Sequence, residues 1–143
     1  LMDRVRLMDE DRCACGSSMR RMDHFLGRSD DMVKLRGVNV YPMACLNAIR
    51  SDSRSTGEWV CIVDTVRNAG VPRDEMTVQV ECQATGDTTG FVEGLEARLR
   101  ADLGVRVQVE AVAAGSLGDL TNFGREGKVR RLVDRRPHYG KKA

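Results

Sequence analysis

Between residues 59 and 111 the apolar residues change period repeatedly, and the order of those changes restricts the fold more than any other feature. Residues 59–66 are almost continuously apolar and rich in β-branched side chains, the pattern of a buried strand. Met76, Val78, Val80 and Cys82 then alternate with Thr77, Gln79 and Glu81, as a half-buried strand requires. Phe91, Val92, Leu95, Leu99 and Leu103 follow at helical spacing as one apolar stripe. Thr88 or Thr89 can cap that helix, and Gly104 can end it. Val105, Val107, Val109 and Ala111 alternate once more.

Upstream, two extended runs within residues 22–40 flank the polar stretch 27–31, which predicts a hairpin with its tip there. Pro42 suits a first helical turn, where a missing N–H costs nothing, and Met43, Leu46 and Ile49 follow at helical spacing. Residues 1–22 read as a polar lead-in and 67–75 as a loop. Residues 113–127, with glycines at 115, 118, 124 and 127, read as a mobile surface loop. The expected fold is α+β: a small sheet of about three strands with two packed helices, preceded by a β-hairpin.

A chain of 143 residues fits one domain and needs neither disulfides nor a metal to fold. Twenty-three Lys and Arg against 21 Asp and Glu leave a charge of +2, too small to imply a polyanionic partner by itself. Five cysteines, an odd number, predict reduced thiols and a cytoplasmic home. No run approaches the length of a membrane span. The charged opening lacks the apolar stretch of a signal peptide. Leu1 is not an initiator, so the expectation is a start at Met2 or a piece of a longer chain.

Two segments point to chemistry. The first is GRSDDMVKLRGVNVYP, residues 27–42, and the second is REGKVRRLVDRR, residues 125–136. Taken singly each has an ordinary reading: adjacent Asp residues form turns, and a Lys after a Gly in a loop is usually surface charge. Together, with strands and helices between them, they resemble the segments that open and close the C-terminal domain of the phenylacetate–CoA ligase family of adenylate-forming enzymes. The resemblance spans about residues 20–136.

Such enzymes join a carboxylate to ATP, releasing pyrophosphate, and then pass the acyl group to the thiol of coenzyme A. Their C-terminal domain is a lid that turns between the two steps. The resemblance implies that Lys128 is the catalytic adenylation lysine, Asp30 the hinge, Arg28 an ATP-binding residue and Gly37 a CoA-binding position. It implies a lead-in at 1–22 from a missing N-terminal domain and a lid at 23–143 with its hinge near 30. Its partners would be that N-terminal domain, ATP with Mg2+, CoA and a small carboxylic acid, aromatic by analogy, with no nucleic acid and no membrane.

The residue types suit those roles. Carboxylate attack on phosphate builds charge between two anions, which a preorganised ammonium can neutralise. A mobile lid can bring that ammonium and remove it. A glycine lets a thin ligand arm pass close to the backbone.

The chain departs from the family in a longer, proline-free link before Gly127-Lys128. It also carries no Gly/Ser/Thr-rich phosphate loop, so the chain alone is expected to be inactive. A free-standing, non-catalytic ligand-binding or regulatory module is the alternative. A nucleic-acid-binding domain is a poorer one, since aromatics are only 4% and no nucleic-acid-reading motif appears. Cys13 and Cys15, with His24 nearby, make half a zinc site at most, and no metal is assigned. His24 and His138 read as surface residues, and 128–142 as a solvated basic tail.

Overall fold

The computed structural model describes residues 3–8, 15–28, 32–83, 86–124 and 128–137, with the backbone alone at residues 3, 4, 23–28 and 68. The chain forms two compact units, Leu1–Met32 and Val33–Ala143.

In the first unit β1 (Asp3–Leu7) pairs antiparallel with β2 (Met22–Arg28), with register shifts beside Val5 and Leu7. The lead-in is therefore partly a strand. Its alternation is masked by charge: only Val5 and Leu7 are apolar in β1, and both are exposed. Among the described residues β2 pairs with β1 and not with β3, so no hairpin centred on 27–31 is seen. The hairpin lies further on, and residues 29–31 lie outside the described residues.

The second unit opens with that hairpin. β3 (Val33–Leu35) and β4 (Val38–Val40) pair in the register Leu35↔Val38. Their two-residue turn, Arg36-Gly37, has positive φ at both positions, 50° and 85°, the primed-turn geometry that matches strand twist. Pro42 opens a 3₁₀ turn, Pro42–Cys45, continuing into α1 (Leu46–Arg50). Met43, expected on the apolar stripe, is exposed instead, because the tighter 3₁₀ turn changes which residues face inward.

β5 (Ser55–Asn68) and β6 (Val71–Cys82) form a long antiparallel pair. Both run through the stretch expected to be a loop, and Ala69-Gly70 makes another tight turn with φ of 48° and 83°. Pro72 is tolerated because β7 (Gln108–Ala113) pairs with β6 only over Thr77–Cys82, so the missing N–H faces no neighbour strand.

α2 (Thr89–Leu103) crosses from β6 to the parallel strand β7. Asp87 caps its start: the carboxylate accepts the Thr89 N–H at 2.9 Å, while neither threonine caps with its own side chain. Gly104, left-handed at φ 69°, ends the helix as expected. The fully buried Phe91, Leu95 and Leu99 of its stripe each contribute about 1.5–3 kcal/mol of burial free energy.

Beyond β7 the chain forms a turn and the short α3 (Gly118–Thr121). Leu117 and Thr121 are buried, so this half of the expected mobile loop is packed. The sheet closes with β8 (Leu132–Asp134), parallel to β5, giving the order β7-β6-β5-β8. The α+β class stands as expected, with one more strand than anticipated and part of the basic tail inside the fold.

Successive residues of β5 point to opposite faces. Trp59, Cys61 and Val63 join the main core under α2, while Val60 and Ile62 pack with Leu117 on the other face. That two-sided cover explains the unbroken apolar run. Among the described residues no helix is long and apolar enough to cross a membrane.

Candidate functional site

Lys128 is the first described residue after the gap at 125–127, and its side chain is exposed. The backbone just beyond it is held. The Arg130 N–H donates to the Thr121 carbonyl at 2.7 Å, and the Arg131 carbonyl accepts from the Cys61 N–H at 2.9 Å. The Thr121 hydroxyl, itself buried, donates to the Leu117 carbonyl and accepts from the Phe123 N–H. Thr121 and the Leu117 carbonyl thus hold this stretch in place rather than leaving it a free loop.

The Arg131 side chain is clamped more firmly still. Its two terminal nitrogens donate to the Glu58 carboxylate at 2.7 and 3.1 Å. One of them also reaches the Trp59 carbonyl at 2.6 Å. The guanidinium lies 4.0 Å from the centroid of the Trp59 ring, a cation–π stack on a buried indole. The Arg131 and Glu58 side chains keep only 16% and 9% of their exposure, so the pair is largely desolvated. Sequence reading passed over Arg131 because a basic run gives no sign of which member turns inward.

A cleft of about 560 Å³ opens beside this clamp, lined among others by Arg50, Glu58, Glu81, Phe123 and Arg131. Burial of Glu81 would raise its pKa. The N–H groups of Gly115 and Leu117 and the Thr56 hydroxyl outweigh that effect and leave it lowered.

Gly37 lies in the turn of the β3–β4 hairpin. The Arg36 guanidinium beside it donates to the Arg106 carbonyl, just before edge strand β7. Lys128 precedes β8, the opposite edge. Among the described residues an added Cβ at Gly37 would touch nothing. The glycine answers to its backbone angle, not to crowding from within. A groove of about 230 Å³ near the turn is lined by Arg36, Arg73 and Arg106 against a single carboxylate, Glu75.

Of the other expected site residues, Arg28 ends β2 in the first unit and only its backbone is described. Asp30 lies outside the described residues, as do Cys13 and His138; only the backbone of His24 is described, and Cys15 is exposed. Among the described residues no group of three or more His, Cys, Asp or Glu could hold a metal ion. The basic tail is corrected by Arg136: its guanidinium is buried and bonds Asp134, Asp74 and the Lys34 carbonyl.

Residues 37–136 match the family described as the AMP-binding enzyme C-terminal domain. The chain belongs to that family. It is 31% identical over 127 residues to the phenylacetate-coenzyme A ligase of Aromatoleum evansii, covering 84% of this chain and 27% of that protein. It is 29% identical over 141 residues to the phenylacetate-coenzyme A ligase of Pseudomonas putida, covering 94% of this chain and 30% of the relative. The chain thus spans less than a third of the length of these curated relatives.

Among solved structures, a 2-hydroxyisobutyryl-CoA ligase in a postadenylation state with 2-HIB-AMP matches with a TM-score of 0.67 at 29% identity. That match covers 93% of this chain and 27% of the ligase. The same ligase in its thioesterification state with 2-HIB-AMP and CoA matches at 0.61 and 30%, covering 95% and 28%. A domain of a phenylacetate-coenzyme A ligase from Bacteroides vulgatus shares the fold, at a TM-score of 0.61 and 24% identity, with 77% of this chain and 97% of that domain covered.

Proposed function

We propose that this chain is the lid of an ATP-dependent CoA ligase acting on a small, aromatic carboxylic acid. It presents Lys128 for adenylation and the Gly37 turn for thioester formation. The observation that carries this reading is the family match over residues 37–136, within which Lys128 leads into β8 and Gly37 turns the separate β3–β4 hairpin. A lid can bring one of these two elements to the reacting atoms at a time by turning about a hinge. The related ligase described above, solved in states before and during thioester formation, supports the same two-step use.

In the first step the Lys128 ammonium neutralises charge as the carboxylate attacks the α-phosphate of ATP, and Arg28 binds the nucleotide. Mg2+ enters with ATP. In the second step the Gly37 turn lines the path of the CoA arm, and the adjacent arginine groove suits its phosphates by charge. Asp30 is the hinge, consistent with a second compact unit that begins at Val33. The lead-in, β2 and this hinge connect the lid to an N-terminal domain that holds the acid. The chain alone forms no thioester.

The test uses the full-length protein. Lys128→Ala should lower acid-dependent ATP–pyrophosphate exchange roughly 100- to 1,000-fold, the scale for losing one preorganised transition-state donor. Thioester formation from a supplied acyl-adenylate should be unchanged. Exchange at the parent rate in Lys128→Ala would remove the lysine from the reaction and with it this reading.

A further inference from the structure

The Glu58–Arg131–Trp59 clamp takes up a buried cation close to Lys128, yet no role in the two steps has been given to it. We propose that Arg131 is a positioning residue that holds the Lys128 segment for adenylation. The inference rests on the assignment of Lys128 above.

The geometry is short-range. Arg130 and Arg131 are fixed by backbone bonds to Thr121 and Cys61. The Arg131 side chain is fixed at three places: the Glu58 carboxylate, the Trp59 carbonyl and the Trp59 ring. Lys128 lies two residues before the first of these anchors, so its Cα can stray only about 7 Å from that fixed point.

The clamp also has the chemistry of a locator. A planar guanidinium bonded to a carboxylate and stacked on an indole has one orientation, which a lysine could not reproduce. Trp59 is rigid because it is buried in the main core, and Glu58 is its chain neighbour on β5. The catalytic segment is therefore referenced to the central strand of the sheet rather than to its own loop.

Misplacing a reacting group by about 1 Å can cost on the order of 100-fold in rate. Loosening the clamp should therefore slow adenylation by roughly ten- to 100-fold and leave thioester formation alone, because Lys128 has no part in the second step. A merely structural role would depress both half-reactions together, in proportion to the folded fraction.

The experiment measures both half-reactions in the full-length protein for Glu58→Gln, Arg131→Lys and the double variant Glu58→Gln/Arg131→Gln. The double variant leaves no buried charge unpaired and keeps the clamp testable if a single variant unfolds. Folding is checked by circular dichroism. The expected result is a folded protein with pyrophosphate exchange reduced and thioester formation from supplied acyl-adenylate unchanged. Equal loss in both half-reactions, or no loss in either, overturns the inference. Lys128→Ala measured alongside separates the two levels. If it leaves exchange intact, the lysine assignment has failed. If it abolishes exchange while the clamp variants do not, only the positioning role has failed.

Discussion

Arg136 offers the sharpest test of how β8 is held. Its side chain keeps 8% of its exposure, against 12% for Asp134 and 33% for Asp74. It bonds Asp134 at 2.6 Å, Asp74 at 2.8 Å and the Lys34 carbonyl at 3.0 Å. Its hydrogen bonds to the Asp134 carboxylate raise its pKa first, burial opposes, and Asp74 adds to the rise, so it stays charged at any working pH. Arg136→Met keeps the apolar stem and removes the fork. Breaking a buried pair by deleting one partner costs about 3–5 kcal/mol. Water can reach Asp74, so the lower end applies, about 3 kcal/mol, or a midpoint lower by roughly 10 °C for a domain of this size. Trp59 is the sole tryptophan, so urea unfolding can be followed by its fluorescence without a label. Asp134→Asn with Arg136→Met removes the stranded carboxylate and should recover part of the loss. An Arg136→Met protein within about 0.5 kcal/mol of the parent would refute the account.

Two further outcomes follow from the same geometry. Gly37→Ala should cost only about 1–2 kcal/mol of stability, the penalty of a left-handed residue, since its Cβ meets nothing among the described residues. In the full-length protein it should slow thioester formation and spare pyrophosphate exchange, and unchanged thioester kinetics would restrict Gly37 to shaping the turn. Asp52, hydrogen-bonded by the Arg54 side chain, has its pKa lowered to about 2 from 3.8. Its contribution, about 1 kcal/mol after solvent screening at the half-exposed Arg54, is present above about pH 4 and is lost as pH falls towards 2. The stability gap between the parent and Asp52→Asn should close over that interval, and a gap constant from pH 5 to 2 would contradict the pairing.

Elements whose cover is local or periodic were legible in the sequence. The stripe of α2, its stop at Gly104 and the alternation of β6 and β7 need only the spacing of Phe91, Leu95, Leu99 and the valines to be read. Elements defined by tertiary pairing were not. Residues 67–75 carry Gly70, Pro72 and charges, which locally favour a loop. They became strand because Ala69-Gly70 supplies a primed turn and the partner strand supplies every pairing. The first turn, Arg36-Gly37, was hidden in the same way, since its arginine carries no turn signal. For the candidate site, the motifs singled out Lys128 and Gly37, whose roles are proposals. They were silent on the Glu58–Arg131 clamp, because a pair separated by more than 70 residues has no local signature.

β8 shows why the clamp and the tail belong together. A strand of three residues pairing at a sheet edge makes too few ladder bonds to fix its own position. Its two ends are instead fastened by arginines to different strands: Arg131 before it to Glu58 on β5, and Arg136 after it to Asp74 on β6. The same two bonds face opposite ways along the chain. One fixes the approach of Lys128, and the other ties the strand to the Lys34 carbonyl in the hairpin that carries Gly37. The segment assigned to the first reaction step and the hairpin assigned to the second are thereby mounted on one short strand. A lid turning as proposed then moves both as a unit. Loosening Arg131 should affect the first position alone, whereas loosening Arg136 should disturb the strand that carries both.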